Sequence, residues 1–503
     1  MDGRSFEQRL LQQRARMHVT PGQLLERVER SPYGPKSKAI LRQMVAHEST
    51  GQVGFALFDC PPAIVRGQGA TVWDADGKAY VDMLAGFSVS NVGHAHPAVL
   101  AAINAQAAEL IHYFDLPNAP RERLAERLAA MAPGAGPKRV TFGVTGAEAV
   151  DLAIKLARWY TGAPTILSAY GGYHGVTGGT MATTAKGGMW AFFYPVGPHD
   201  AGHGKIPYSY PYRCPVGAEP EHCAEACTSY VRRMLMGKES PFGEHRGGIS
   251  NVAAVLLEPM QASAGYIIPG DGYLKEMRAI CDDFGFLLID DEIQAGMGRS
   301  GRLWGCDHEG VVPDLLVVSK GLASGMPISA VIAPDEIAAS WGPGAHVATF
   351  AATPVAAAAA NATLDILENE GLVARAAATG AYFRERLAEL QERHPILGWI
   401  DARGLFVGLE FVRDRRTKEP AADEAGWMLD HCVREGLLFE KGGYLYNRFQ
   451  MIPPLTIERS EIDRAVAILD GAMTMAETRS GIARPLSVPV TAVTGGAPSP
   501  SPG

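Results

Sequence analysis

Short apolar runs broken by polar turns recur through the middle of this chain. Residues 139–143 (RVTFG), 165–168 (TILS), Val252–Leu257 (VAAVLL), 286–289 (FLLI) and Leu315–Val318 (LLVV) each have strand length and little alternation. Runs of that kind fit buried strands of a parallel sheet, apolar on both faces. Amphipathic helical patterns separate them, over 145–158 and Tyr273–Phe284. The βα alternation from about 139 to 332 predicts a parallel sheet flanked by helices. Ligands of such sheets bind outside the carboxyl ends of the strands. Asp290 and Asp291 follow one run, and Lys320 stands just past the next. Asp291 and Lys320 are therefore expected together at one sheet edge.

The flanks read differently. Residues 63–83 alternate around D-A-D-G-K and predict a hairpin. Residues 86–97 (GFSVSNVGHAHP) read as a loop, with Pro97 opening a helix. Residues 365–480 return to alternating helices and strands and are expected to form a small domain with 51–115, leaving 116–364 as the large domain. Residues 1–50 predict a helical extension with apolar patches at Phe6, Leu10 and Leu11, at Leu24, Leu25 and Val28, and at Ile40, Leu41 and Met44. Residues 481–503, rich in Pro, Gly, Ser and Thr, read as a disordered tail.

With 503 residues the chain is long enough for two domains. The net charge of -8 is mild and spread out, which argues against a nucleic-acid face. No apolar run approaches the roughly 20 residues of a membrane helix, and residues 1–50 lack a signal peptide's apolar core. Seven scattered cysteines suit a reducing compartment, so a cytoplasmic location is expected. His199, His203, Cys214, His222, Cys223 and Cys227 bring metal to mind, but C-x8-C-x3-C lacks the paired knuckles of zinc sites. No metal is expected there. Residues 196–248 read as an elaborated loop with a helix from 223 to 236, near the site entrance.

A lysine at a strand end can form a Schiff base with an aldehyde cofactor, and a nearby carboxylate can keep a pyridinium nitrogen protonated. A surface lysine and a turn aspartate would show the same spacing. The stretch D-E-I-Q-A-G-M-G-R-S-G followed by S-K-G-L-A-S-G-M-P goes further. It resembles the signature of the class III pyridoxal-phosphate (PLP) aminotransferases, a family that also includes amino-acid racemases and epimerases and dialkylglycine decarboxylase.

The resemblance spans roughly 55–475. It implies an α/β chain of PLP fold type I, with a mostly parallel large domain and a smaller α+β domain built from both chain ends. It implies that Lys320 is the Schiff-base lysine, that Asp291 partners the pyridine nitrogen and that Gln294 lies by the ring's phenolic oxygen. T-G-A-E-A assigns Gly146 and Ala147 to the phosphate, and Y-H-G puts Tyr173 on the ring with His174 beside it. Glu258 of E-P is expected near the substrate pocket. Thr349 is expected to reach the phosphate of a neighbouring subunit, which implies a homodimer with shared sites. Substrate-pocket candidates are Phe87, Arg448 and Gln450. Many members carry an arginine three residues before P-P-L to bind a substrate carboxylate; Gln450 stands there, with Arg448 the nearest arginine, so either a local shift lets Arg448 substitute or the clamp is missing.

The function implied is amino-group transfer between an amine or amino acid and a keto acid or aldehyde. Racemisation or epimerisation, decarboxylating transamination and a non-catalytic partner protein of the same fold remain alternatives.

Overall fold

The computed structural model describes residues 19–51, 54–185, 202–237, 240, 242, 244–245 and 249–482. The apolar patch at Phe6, Leu10 and Leu11 and residues 483–503 of the expected tail lie outside these.

A seven-stranded sheet forms the centre. Its strands are β1 (Lys138–Gly143), β2 (Thr165–Ala169), β3 (His203–Ile206), β4 (Val252–Leu257), β5 (Leu287–Asp291), β6 (Leu315–Val318) and β7 (Ser329–Pro334). The spatial order is β1-β7-β6-β5-β4-β2-β3. Every neighbouring pair from β6 to β3 is parallel, and β7 runs antiparallel to β6 and β1.

The unalternating runs are explained by what lies on each face. Leu287, Ile289, Leu315 and Val317 pack under helix α1 (Gly146–Thr161), against Ala149, Val150, Ala153 and Leu156. Leu288, Leu316 and Val318 point the other way, into the larger core with Tyr273, Met277 and Ile280 of the helix Tyr273–Phe284. Successive side chains of a strand face opposite sides, so two covered faces need an apolar residue at every position.

The predicted hairpin is present: Thr71–Asp74 pairs antiparallel with Ala79–Asp82. A four-stranded sheet joins these strands to Leu437–Leu438, more than 350 positions later in sequence. A second sheet is built from Leu397–Arg403, Phe406–Asp414, Arg448–Met451 and Glu440–Gly442. Near the N-terminus, Pro21–Arg30 and Pro35–His47 are helices, broken at Ser31-Pro32 as expected. Leu24, Val28 and Leu41 bury in a small cluster of their own, with Phe55 and Ala63. Helix α2 (Cys223–Met236) lies where the pattern placed it.

Candidate active site

β5 and β6 are neighbours, with Asp291 opposite Val317. The chain leaves β6 through Ser319 into a 3-10 turn that begins at Lys320. Lys320 takes φ +42°, a conformation that costs a non-glycine residue about 1–3 kcal/mol and clusters at functional sites. The two side chains meet in a cavity of about 230 Å³ at the carboxyl ends of the strands, as the sheet pattern predicts. Burial pushes the Lys320 ammonium below its ordinary value, against the opposing pull of Asp291, Glu258 and Glu440.

Asp291 Oδ2 lies 2.7 Å from His174 Nδ1, with both side chains buried. Its other oxygen accepts the Ile293 N–H at 3.2 Å. Among the described residues His174 Nε2 has no hydrogen-bond partner. Asp290 and Asp291 do not share a role. Asp290 faces the opposite side of the strand, where it lies with Glu292 and Cys306. Burial and the neighbouring Glu292 carboxylate hold the Asp290 carboxyl well above the usual carboxylate range.

Gly146 and Ala147 line the cavity at the start of α1. Thr145 caps that helix by accepting the Glu148 N–H at 3.2 Å. The helix start therefore offers unpaired N–H groups and the positive end of its dipole. A Cβ on Gly146 would come 2.9 Å from Ile293 Cδ1, so the close approach of α1 to the strand end favours glycine there.

Tyr173 and Glu258 close another wall. Glu258 accepts the N–H of Tyr173 at 2.9 Å and that of Ala262 at 2.8 Å. Its complete burial pushes the carboxyl up to about 7, with Asp291 adding to the rise and His174 opposing it. Gln294 donates to the Phe87 carbonyl at 3.4 Å, while its own Oε1 has no partner among the described residues.

Three expected substrate contacts stand elsewhere. Arg448 is fully buried and committed to Asp401 at 2.6 Å and Glu410 at 2.8 Å. It also donates to the carbonyls of Gly265 and Tyr266. Of the two alternatives at this motif, the one in which Arg448 supplies the clamp is corrected: its donors are already used, inside the fold. Gln450 lies one layer behind the cavity wall and donates to the Ala262 carbonyl at 2.9 Å. Phe87 is half-buried and reaches the site through its backbone oxygen. Thr349 is exposed and is not part of the cavity lining.

Two residues had no signal of their own. Glu440 is buried opposite Gln450 in strand pairing, and its charge is felt at both Lys320 and Tyr173. It follows no motif. Arg299 sits inside the long G-M-G-R-S-G stretch and is wholly buried. It donates to Asn91 Oδ1 at 2.5 Å, Ser88 Oγ at 3.3 Å, the Leu405 carbonyl at 3.4 Å and the Pro453 carbonyl, tying three distant segments together.

A profile of the family described as Aminotransferase class-III matches residues 59–473. Isoleucine 2-epimerase of Lentilactobacillus buchneri is 40% identical over 417 residues, covering 82% of this chain and 90% of that protein. A probable 4-aminobutyrate aminotransferase of Bacillus subtilis (strain 168) is 34% identical over 411 residues, covering 81% and 92%. Among solved structures, the amine transaminase of an uncultivated Pseudomonas species in its PLP-bound form matches with a TM-score of 0.76. It is 32% identical, and the match covers 85% of this chain and 97% of that one. With a lysine, an aspartate and a helix N-terminus converging at the strand ends, the chain belongs to the class III aminotransferases, α/β enzymes that move amino groups with pyridoxal phosphate.

Proposed function

We propose that this cavity holds PLP and that its residues divide the work of amino-group transfer between an amine or amino acid and a keto acid or aldehyde. The groups present fit that cofactor. A helix N-terminus suits its phosphate, the buried Asp291 carboxylate suits its pyridine nitrogen, and the unpartnered Gln294 Oε1 marks room for a polar neighbour. When bound, the cofactor supplies an aldehyde for covalent capture of the amine and a ring that draws electrons from the substrate carbon.

The protein's own residues do the rest. Lys320 would hold the cofactor through Nζ, and its Nζ when free would move a proton at the substrate carbon as general acid and base. Its lowered proton affinity, caused by burial, leaves a larger neutral fraction for that task. Asp291 would hold a proton at the ring nitrogen, and His174 fixes the Asp291 carboxylate by donating from Nδ1. Tyr173 would cover a ring face, and Glu258 holds the Tyr173 backbone in place. The observation that carries this reading is the convergence of Lys320, Asp291 and Gly146–Ala147 on one cavity.

We infer a homodimer. Leu110, Ile111, Tyr113, Phe114 and Leu116 are exposed, and His112 stacks on the exposed Phe350 with centroids 4.9 Å apart. A surface patch of that kind fits an interface, and Thr349, next to Phe350, would then face a second copy's site. The pairing of Ile64–Asp82 strands with Leu437–Leu438 supports a small domain formed by 51–115 and 365–480. All seven cysteines are free and no described helix is long and apolar enough to cross a membrane. Both facts support a cytoplasmic location.

With Arg448 committed internally and Gln450 neutral, the donor is expected to be an amine, or an amino acid whose carboxylate is held by other groups. A second reading, racemisation or epimerisation, is favoured by the 40% identity to isoleucine 2-epimerase. Visible absorbance of the purified protein, followed while single amine donors are added without keto acid, separates them. Loss of the visible cofactor band, with the cofactor leaving as its amine form, supports transfer. A persistent band accompanied by loss of optical purity in one amino acid supports the second reading. No visible band in the native protein would defeat both.

A further inference from the structure

The segment between β3 and β4 carries a feature that the amino-transfer chemistry does not use. Cys214, Cys223 and Cys227 lie so that their three Sγ atoms are all within 4.8 Å of one another. Cys223 and Cys227 occupy the first turn and a half of α2, one helical turn apart, with sulfurs 4.0 Å apart. Cys214 is brought to them by two 3-10 turns, Pro211–Arg213 and Pro220–His222, which fold the intervening chain back on itself. Cys223 and Cys227 are fully buried, and Cys214 is partly exposed.

The spacing fits a metal better than a disulfide. Zinc–thiolate bonds of about 2.3 Å in tetrahedral array put sulfurs about 3.8 Å apart. A disulfide would need about 2.0 Å, and the pair at 4.0 Å sits on one face of a helix.

Polar groups border the sulfurs. Ser209 Oγ accepts the Gly270 N–H at 3.1 Å, which leaves its hydroxyl proton to donate. The N-terminus of the 14-residue α2 adds positive potential at Cys223. Outer donors of this kind orient ligands and offset their charge.

We propose that Cys214, Cys223 and Cys227 bind one zinc ion, with a water completing the tetrahedron on the open Cys214 side. Binding replaces the thiol protons, which leave to solvent. Two hydrogen bonds are given up, the 4.0 Å contact between Cys223 Sγ and Cys227 Sγ and the 3.7 Å contact from Cys227 Sγ to the Tyr208 carbonyl. The site's role is structural. It pins residues 207–214 to α2, and that segment supports the cavity wall: Tyr208 donates to the Glu258 and Pro259 carbonyls at 3.1 and 3.2 Å.

The test is metal content of the PLP-loaded, full-length protein grown and purified with zinc alone added, then desalted. The expected result is about one zinc per chain, the stoichiometry of a single tetrahedral site, lost in Cys214→Ser and Cys227→Ser and kept in Cys60→Ser. Should the cysteine variants fold poorly, cobalt(II) added to chelator-treated native protein gives the answer. Intense thiolate-to-cobalt charge-transfer bands with tetrahedral ligand-field absorption are expected. Zinc no higher in the native protein than in Cys214→Ser, absence of the cobalt bands, or a disulfide among the three cysteines in protein purified without oxygen would each overturn the proposal.

Discussion

His174 Nδ1 stands 2.7 Å from Asp291 Oδ2 in a pocket that buries both side chains. The pair links a loop after β2 to the end of β5, so the carboxylate is aimed by a residue 117 positions away. An aimed carboxylate is preorganised, which is where electrostatic catalysis gets its strength. Asp291→Asn keeps the shape and removes the charge. It is expected to lower kcat/KM by about 10²–10³. His174→Phe leaves the charge but frees its orientation, and a loss of about 10–100-fold is expected, typical of an outer-shell partner. Steady-state rates and the visible absorbance of each variant check this. Equal losses in both would show that His174 does more than aim Asp291.

Lys320 offers a prediction about stability. Its ammonium is held below the ordinary lysine value by burial, while Asp291, Glu258 and Glu440 pull the other way. The unfolded chain therefore binds more protons than the folded one between the two values, and stability rises with pH across that window. At neutral pH the cofactor-free protein bears the cost of a protonated or neutralised buried amine. Lys320→Met should melt higher than native protein when both lack PLP. The gap should narrow as pH rises toward the ordinary lysine value, about 10.4. Calorimetric scans across pH test this. A variant that melts lower throughout would show that Lys320 stabilises the empty pocket. The same variant is expected to have no measurable turnover.

Arg448 is the counterpart, a charge whose value is to the fold. It is enclosed by Asp401, Glu410, Tyr210 and two backbone carbonyls. Removing one member of a buried ion network leaves unpaired charge and costs about 3–5 kcal/mol. Arg448→Met is expected to show that loss in denaturant unfolding. Any protein that remains folded should keep its KM for carboxylate-bearing donors within about threefold, well under the tenfold that 1.4 kcal/mol would bring. A selective rise in KM for carboxylated donors would return Arg448 to the substrate pocket.

The contrast among these residues shows what the sequence carried. The strand runs were legible because a sheet covered on both faces tolerates only apolar side chains, and Val252–Leu257 and Leu315–Val318 are bounded as the pattern placed them. Asp291 and Lys320 were legible because strand ends of a parallel sheet gather at one edge. Asp290 was not separable from Asp291, since only the pleat decides which of two adjacent side chains faces the cavity. Arg448 misled because its position near P-P-L says nothing of Asp401 and Glu410, which reach it across a sheet. Glu440 escaped because it meets Gln450 by strand register rather than by spacing. The three clustered cysteines escaped for a related reason: the turns that bring Cys214 to α2 leave no metal-knuckle spacing.

Gln450 sets the last test, of donor choice. Its amide donates to the Ala262 carbonyl, and Ala262 lines the cavity. Its Oε1 has no partner among the described residues, and as a neutral amide outside the cavity lining it offers no charge to a substrate. Arg at this position extends farther and brings a bidentate cation toward the wall. A charge-assisted hydrogen bond contributes about 1.5–3 kcal/mol, so Gln450→Arg should raise kcat/KM for amino acids over matched amines lacking the carboxylate by about tenfold or more. Glu440 limits this gain, because it lies directly across the strand pair and competes for the new guanidinium. Adding Glu440→Gln should therefore widen the preference beyond that of Gln450→Arg alone. The rates of a donor panel with one keto acid measure both effects. If neither variant shifts the ratio, a neutral residue at 450 is not what excludes the carboxylate, and donor choice is set on another wall of the cavity.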